Sequence, residues 1–352
     1  MPENVTSIEI RTSPHLRKAP SVENIMGNVA FALLPVCGFG IFVFGWSALA
    51  VLLVSVGSCV LTEHFICRIS EKPTTIRDYS ALVTGLILGC TLPPGFPLWM
   101  VAVSGMVAIG IGKMLFGGLG CNVFNPALVG RAFVQAAFPV AITTWTPALA
   151  AGRFREVIPS TFTWPFMAPD PALNAALNAS VDGFTGATPL ALQKFEHLTT
   201  DAGNLFFGTT AGSLGETSVL VIFIGGAYLS IRGIMNWRIP VGMLFAAFVT
   251  AAVCYGLDST RFPDPLFVLL SGGLMFWAIF MATDMVASPV TPVGIWVYAA
   301  LMGFLTVIIR LFGGLPEGVM YAILLGNAAS TFIEAFTQPR IYGERRKPEP
   351  KS

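Results

Sequence analysis

Gly117-Gly118-Leu119-Gly120-Cys121-Asn122-Val123-Phe124-Asn125-Pro126-Ala127 stands between two apolar runs, and its reading decides the fold. Inside a bilayer a backbone N–H or C=O without a partner is costly, so irregular backbone persists only where protein encloses it around a cavity. A second interruption, Thr91-Leu92-Pro93-Pro94-Gly95-Phe96-Pro97, breaks the run before it. The C-terminal half repeats the device at Ala282-Thr283-Asp284-Met285-Val286-Ala287-Ser288-Pro289-Val290-Thr291-Pro292 and at Phe312-Gly313-Gly314-Leu315-Pro316-Glu317-Gly318. Interrupted helices in corresponding halves predict an inverted-repeat membrane fold with a site at the repeat interface. Residue identity between the halves is confined to echoes such as Pro97-Leu98-Trp99 against Pro265-Leu266-Phe267 and Ser104-Gly105 against Ser271-Gly272.

Composition agrees. The 352 residues are 54% hydrophobic and only 11% charged, with a mean hydropathy of +0.73. Such a chain has no polar coat for water and reads as a polytopic membrane protein in contact with lipid. A net charge of +1, without a basic stripe, excludes a nucleic-acid partner. The polar N-terminal stretch from Met1 to Glu23 shows no removable signal peptide. Six cysteines lie in or beside apolar runs without a C-x-x-C pair, which points to small buried hydrophobes before a metal or cluster held by this chain alone.

At about 20 apolar residues per helix, ten segments qualify: 25–44, 46–67, 79–93, 97–115, 121–138, 217–236, 240–257, 265–283, 293–311 and 317–336. A cytoplasmic N-terminus places most of the 20 Lys and Arg on that side, among them Arg11, Lys18, Arg68, Lys72, Arg77, Arg232, Arg238 and Arg345. The positive-inside rule therefore puts both termini in the cytoplasm. The expected division is a cytoplasmic segment 1–24, a first membrane half 25–137, an extracytoplasmic loop 138–216, a second half 217–336 and a cytoplasmic tail 337–352. Trp145, Trp164, Phe162 and Phe166 suit a folded cap at the lipid–water boundary.

Three stretches have chemistry to offer. In Asp182-Gly183-Phe184-Thr185-Gly186-Ala187-Thr188-Pro189-Leu190, two glycines permit tight turns and Pro189 fixes φ, leaving a stiff hydroxyl at Thr188; turn chemistry alone makes this an Asx or Ser/Thr turn. Gly208-Thr209-Thr210-Ala211-Gly212-Ser213-Leu214-Gly215-Glu216-Thr217-Ser218 precedes an apolar span, where Ser213 or Thr217 serves as an N-cap, and free N–H groups there attract an anion or only start a helix. In Gly120-Cys121-Asn122-Val123-Phe124-Asn125-Pro126-Ala127-Leu128-Val129-Gly130-Arg131, Asn125 suits a cap and Pro126 the first turn. Arg131 falls within a span, where an unpaired guanidinium is expensive, so it is a functional candidate by default.

These stretches, in their order along the chain, resemble the RnfD and NqrB family of membrane subunits, which serve the Rnf ferredoxin–NAD oxidoreductase and the sodium-translocating NADH:quinone oxidoreductase respectively. The resemblance covers roughly residues 20–340. D-G-x-T-G-A-T-P-L looks like the family's flavinylation motif, which implies FMN joined to Thr188 through a phosphoester, with Asp182, Gly183, Thr185, Gly186, Ala187 and Pro189 around it. A threonine hydroxyl is not nucleophilic at neutral pH, so a separate flavin transferase is implied for maturation, with Asp182 in its recognition sequence or orienting the hydroxyl. Ser213, Glu216, Asn122, Asn125 and Arg131 are implied as cofactor contacts, Arg131 toward flavin oxygens or a buried carboxylate.

The resemblance further implies a second, non-covalent riboflavin, a fold related to urea and ammonium channels, and a place in a bacterial inner membrane. Partners would be the other Rnf components, RnfA, RnfB, RnfC, RnfE and RnfG, with electron transfer between NADH and ferredoxin coupled to Na⁺ or H⁺. The short N-terminal segment favours RnfD over NqrB. A solute channel is the competing class, since Asn125-Pro126-Ala127 is the aquaporin triplet; the second half offers only Ser288-Pro289 and Thr291-Pro292. Glu63, His64, Lys113 and Glu334 are expected to snorkel to the cytoplasmic surface, and Asp284, in a Thr- and Pro-rich break, is a place to handle a cation or proton.

Overall fold

The computed structural model describes residues 21–339 apart from 151, 156, 166, 168–187, 197, 217, 260, 315 and 316. Helix α1 (Val22–Phe44) starts under Ser21, whose Oγ accepts from the Asn24 N–H at 3.3 Å. It ends at Gly45, where φ is +76° and a Cβ would collide with the Arg153 carbonyl. Only glycine makes that corner into α2 (Trp46–Ile69). There follow α3 (Ser80–Thr91), α4 (Leu98–Gly110) and α5 (Pro126–Ala137). The second half holds α6 (Val219–Ile231), α7 (Arg238–Leu257), α8 (Pro265–Leu270), α9 (Leu274–Phe280), α10 (Pro292–Phe312) and α11 (Val319–Thr337). Among the described residues there is no strand.

Among the described residues six stretches are long and apolar enough to cross a bilayer: α1, α2, α4 with its following turns to Phe116, α7, α10 and α11. The chain is therefore a multi-pass membrane protein. The interruptions account for the shorter pieces. α3 stops at Thr91 before Pro93-Pro94, and the expected span over 265–283 is the pair α8 and α9, parted at Ser271-Gly272-Gly273.

In the first half α2 packs on α3 and α4, α4 on α5, and α1 on α3. In the second, α7 packs on α8, α9 and α10, α10 on α11, and α6 on α9. The halves meet where α1 lies along α6 and where α5 approaches α11. Side chains sort as a lipid solvent demands: Phe31, Leu53, Phe245 and Phe332 are exposed on the outside, while Ser55, Glu63, Ser104, Arg131, Arg310 and Asn327 are buried. Apolar burial adds little to association between helices in lipid, so close approach and internal hydrogen bonds hold the bundle.

Described residues of the segment after α5 are tied to the bundle at two of its corners. Trp46 donates its indole N–H to the Phe154 carbonyl at 2.8 Å, Leu149 N–H reaches Val43 O at 3.1 Å, and Ser160 Oγ reaches Gly95 O at 2.8 Å. The ties are at the α1–α2 corner and the break between α3 and α4.

Candidate functional site

The breaks create two polar places. The first opens around the Gly117–Ala127 interruption. Asn125 caps α5, its Oδ1 accepting from the N–H groups of Ala127 at 3.0 Å and Leu128 at 3.4 Å, with Pro126 in the first turn as the sequence predicts. Asn122 donates to the Phe124 carbonyl at 3.2 Å and lies against the Asp284 carboxylate, whose Oδ1 also accepts from Val286 N–H at 3.1 Å. The interruption of one half thus faces that of the other across a cavity lined by both. Met26, Leu229, Ile279 and Phe280 give it apolar walls; Asn122, Asn125 and Asp284 give it a polar edge.

Lys113 also reaches this cavity. It does not snorkel, and neither does Glu63: the two form a buried pair at 2.7 Å, 2% and 0% exposed. α2, the start of α3 and the turns after α4 converge here, so the charges answer one another instead of water. Ser80 Oγ accepts from Lys113 Nζ at 2.6 Å and donates to Asp78, while the Thr75 hydroxyl donates to Glu63. Every charge in the cluster is hydrogen-bonded, which such burial requires.

The second place lies between α5, α9, α10 and the segments at 188–216. Arg131 is 1% exposed, and its Nη2 donates to Glu317 at 2.6 Å. The guanidinium carbon sits 4.7 Å from the Trp277 ring centroid, and the Trp277 indole donates to Glu216 at 2.8 Å. Nε and Nη1 of Arg131 have no hydrogen-bond partner among the described residues. Arg310 on α10 caps the end of α8, donating to Val268 O at 2.7 Å and Ser271 O at 3.2 Å.

Thr188 stands at the mouth of this cluster. It is 4% exposed, and its Oγ1 accepts from Ala191 N–H at 3.2 Å, with Pro189 in the first position of the turn. Thr188, Pro189, Gly212, Glu216, Gly272 and Glu317 line one narrow groove. Leu190 presses on Gly272, and Lys194 ties the turn to the end of α10 by donating to Arg310 O at 2.9 Å and Gly313 O at 2.5 Å. Burial lowers the Lys194 ammonium below the ordinary lysine value.

Of the residues singled out in the sequence, Asn122 and Asn125 share the cavity, and Thr188, Pro189, Glu216 and Arg131 share the second cluster. Asp182, Gly183, Thr185, Gly186 and Ala187 lie outside the described residues. Ser213 does not cap α6: the cap position is Ser218, which makes no side-chain capping bond, and Thr217 lies outside the described residues. Residues 214 and 215 instead serve α3, donating from Leu214 N–H to Leu92 O at 3.2 Å and from Gly215 N–H to Cys90 O at 2.7 Å. The last carbonyls of a broken helix are orphans, and this loop supplies their donors. Five of the six cysteines are buried; Cys121 is exposed. Sequence reasoning missed Trp277, Arg310 and Lys194. Glu317 was visible only as an acid inside a Gly- and Pro-rich break.

A chain whose interrupted halves face one another across a cavity with apolar walls and a polar edge, and whose helix-capping Thr188 lies beside the Arg131 cluster, has known relatives. The family described as NQR2, RnfD, RnfE matches residues 9–343. The chain belongs to this family. Within the NQR2, RnfD, RnfE family it is similar to the D component of the proton-translocating ferredoxin:NAD(+) oxidoreductase complex of Clostridium ljungdahlii, 41% identical over 347 residues and 96% of each chain. It is similar also to the D component of the Na(+)-translocating ferredoxin:NAD(+) oxidoreductase complex of Acetobacterium woodii, 40% identical over 340 residues, 97% of this chain and 96% of the relative. A third relative, the D component of the ion-translocating oxidoreductase complex of Stutzerimonas stutzeri, is 38% identical over 347 residues and 94% of each chain.

Proposed function

We propose that this chain is the membrane component RnfD of a bacterial ion-translocating ferredoxin:NAD⁺ oxidoreductase, carrying FMN as a phosphoester on Thr188 and riboflavin in the cavity at Asn122, Asn125 and Asp284. The observation that carries the reading is full-length similarity to relatives named as the D component of such complexes, with Thr188 held beside the Arg131 cluster. The names favour electron transfer over a solute channel and RnfD over NqrB.

The donor sets fit both groups. A flavin supplies one- and two-electron transfer. For the covalent one, Arg131 brings two nitrogens without a partner among the described residues to a buried, aromatic place next to the groove of Thr188, where a charge-assisted hydrogen bond is strong. For the other, apolar walls suit a fused ring, and the amides of Asn122 and Asn125 suit its polar edge. Lys113 is already neutralised by Glu63, so the cavity favours riboflavin, which has no phosphate, over FMN. In this reading Asn122 and Asn125 orient the ring, Trp277 and Phe280 exclude water, and Glu216 and Glu317 set the local charge around Arg131.

The proposal extends to topology and assembly: ten crossings in two inverted halves, both termini cytoplasmic, and the 138–216 segment a cap on the extracytoplasmic side of the inner membrane. The matching neighbour order of the two halves supports it. RnfA, RnfB, RnfC, RnfE and RnfG, a flavin transferase for maturation, and Na⁺ or H⁺ as coupling ion complete the assignment. Mass spectrometry and in-gel flavin fluorescence of the chain co-expressed with the transferase test it. The peptide bearing Thr188 gains the mass of FMN less water, and Thr188→Ala abolishes the fluorescent band; an unmodified wild-type peptide overturns the covalent assignment.

A further inference from the structure

We infer that Asn327, oriented by Tyr298, positions the Asn122–Asn125 wall of the cavity from the opposite half of the protein; its effect on a bound flavin rests on the function proposed above. The N–H of an N-cap residue has no acceptor within its own helix. In a capping box a Glu or Gln at the third helical position supplies one, but here Leu128 occupies that place. The acceptor comes instead from α11. The Asn327 side-chain oxygen accepts from Asn125 N–H at 3.2 Å, while its nitrogen donates to Tyr298 Oη at 2.7 Å and Ile323 O at 3.3 Å. Turned the other way, the amide oxygen would still accept from the Tyr298 hydroxyl at 2.7 Å, but its nitrogen would face the Asn125 N–H and Ile323 O would lose its donor, so only this orientation satisfies both ends. Asn327 and Tyr298 are each 1% exposed. An asparagine that deep in an apolar helix is costly unless its hydrogen bonds are met, and this one meets them by reaching across the repeat interface.

The consequence is geometric. Asn125 fixes the start of α5, Asn122 lies three residues before it in the same interruption, and both line the cavity. Whatever holds Asn125 N–H therefore sets where the two amides point. Asn327 touches no cavity ligand; it acts through the backbone of the wall.

The Asn125 amide reports on the tie directly. The experiment measures hydrogen exchange of the backbone amides over 121–125 by mass spectrometry in the full-length protein in detergent, together with flavin released on acid denaturation. Asn327→Leu removes the acceptor and speeds that exchange about tenfold, the size of one buried hydrogen bond lost to local opening. Released, non-covalent flavin falls in parallel. Asn327→Asp keeps an oxygen facing Asn125 but loses the donor to Ile323 O, so its exchange speeds up less than that of Asn327→Leu. Tyr298→Phe, a milder change, gives a smaller rise and carries the test should Asn327→Leu not insert. Unchanged exchange in Asn327→Leu and Tyr298→Phe, or an Asn327→Asp rate equal to that of Asn327→Leu, overturns the positioning role. Faster exchange without loss of released flavin leaves the tie standing and overturns the reading of the cavity as a flavin site.

Discussion

Arg131 and Trp277 are stacked, guanidinium carbon to ring centroid 4.7 Å, and each side of the stack ends on a carboxylate: Arg131 on Glu317 and Trp277 on Glu216. One arginine thus lies between two acids and an indole in a buried place. Removing it strands negative charge; removing one acid strands part of the arginine.

Arg131→Ala is therefore expected to destabilise the protein by up to about 3 kcal/mol, the lower end for a broken buried pair because Glu317 keeps partial exposure. The combination with Glu317→Gln regains part of that loss, since no charge is then left unpaired. Thermal unfolding of the four variants of the cycle reads the stability. On the function proposed above, flavin is expected to stay attached at Thr188 while electron transfer in membranes falls at least about tenfold. Electron transfer at the wild-type rate would reduce Arg131 to a structural pair.

Lys194 anchors the turn that begins at Thr188 to the last carbonyls of α10. In Lys194→Met those bonds are lost, and hydrogen exchange of the amides around Ala191 and Leu192 is expected to speed up by about an order of magnitude, while Lys194→Arg stays close to wild type. Equal exchange in all three proteins would mean that packing of Leu190, not the ammonium, holds the turn.

Gly272 holds φ at +64°, and a Cβ there would meet Leu190 Cδ1 at 2.5 Å. Gly272→Ala should cost about 1–2 kcal/mol from the left-handed backbone alone, with a further loss from displacing Leu190. Leu190→Ala in the same chain relieves only the second part. Melting temperatures of the single and double variants separate the two; a Gly272→Ala protein as stable as wild type would show that the break between α8 and α9 relaxes freely.

Much of this is legible in residue order. The alternation of apolar runs with Gly- and Pro-rich interruptions marks the membrane and the broken helices, because backbone without hydrogen bonds is tolerated in lipid only at such places. Asn125-Pro126 spells out the start of α5, since a cap and a first-turn proline act within four residues. Glu63 and Lys113 read as surface groups because they are 50 positions apart in sequence and only folding makes them neighbours. The same holds for the expected cap at Ser213: its loop serves the orphan carbonyls of α3, over a hundred residues earlier.

What the sequence determined by itself is the solvent of this protein and the positions of its breaks, for hydropathy and backbone satisfaction are local properties read within one window. What the tertiary structure decided is who faces whom: Arg131 with Glu317, Asn122 with Asp284, Asn125 with Asn327. Those pairs join the two halves. A buried charge or amide accepts any partner of the right chemistry, and only the packing of one half on the other selects which one it meets.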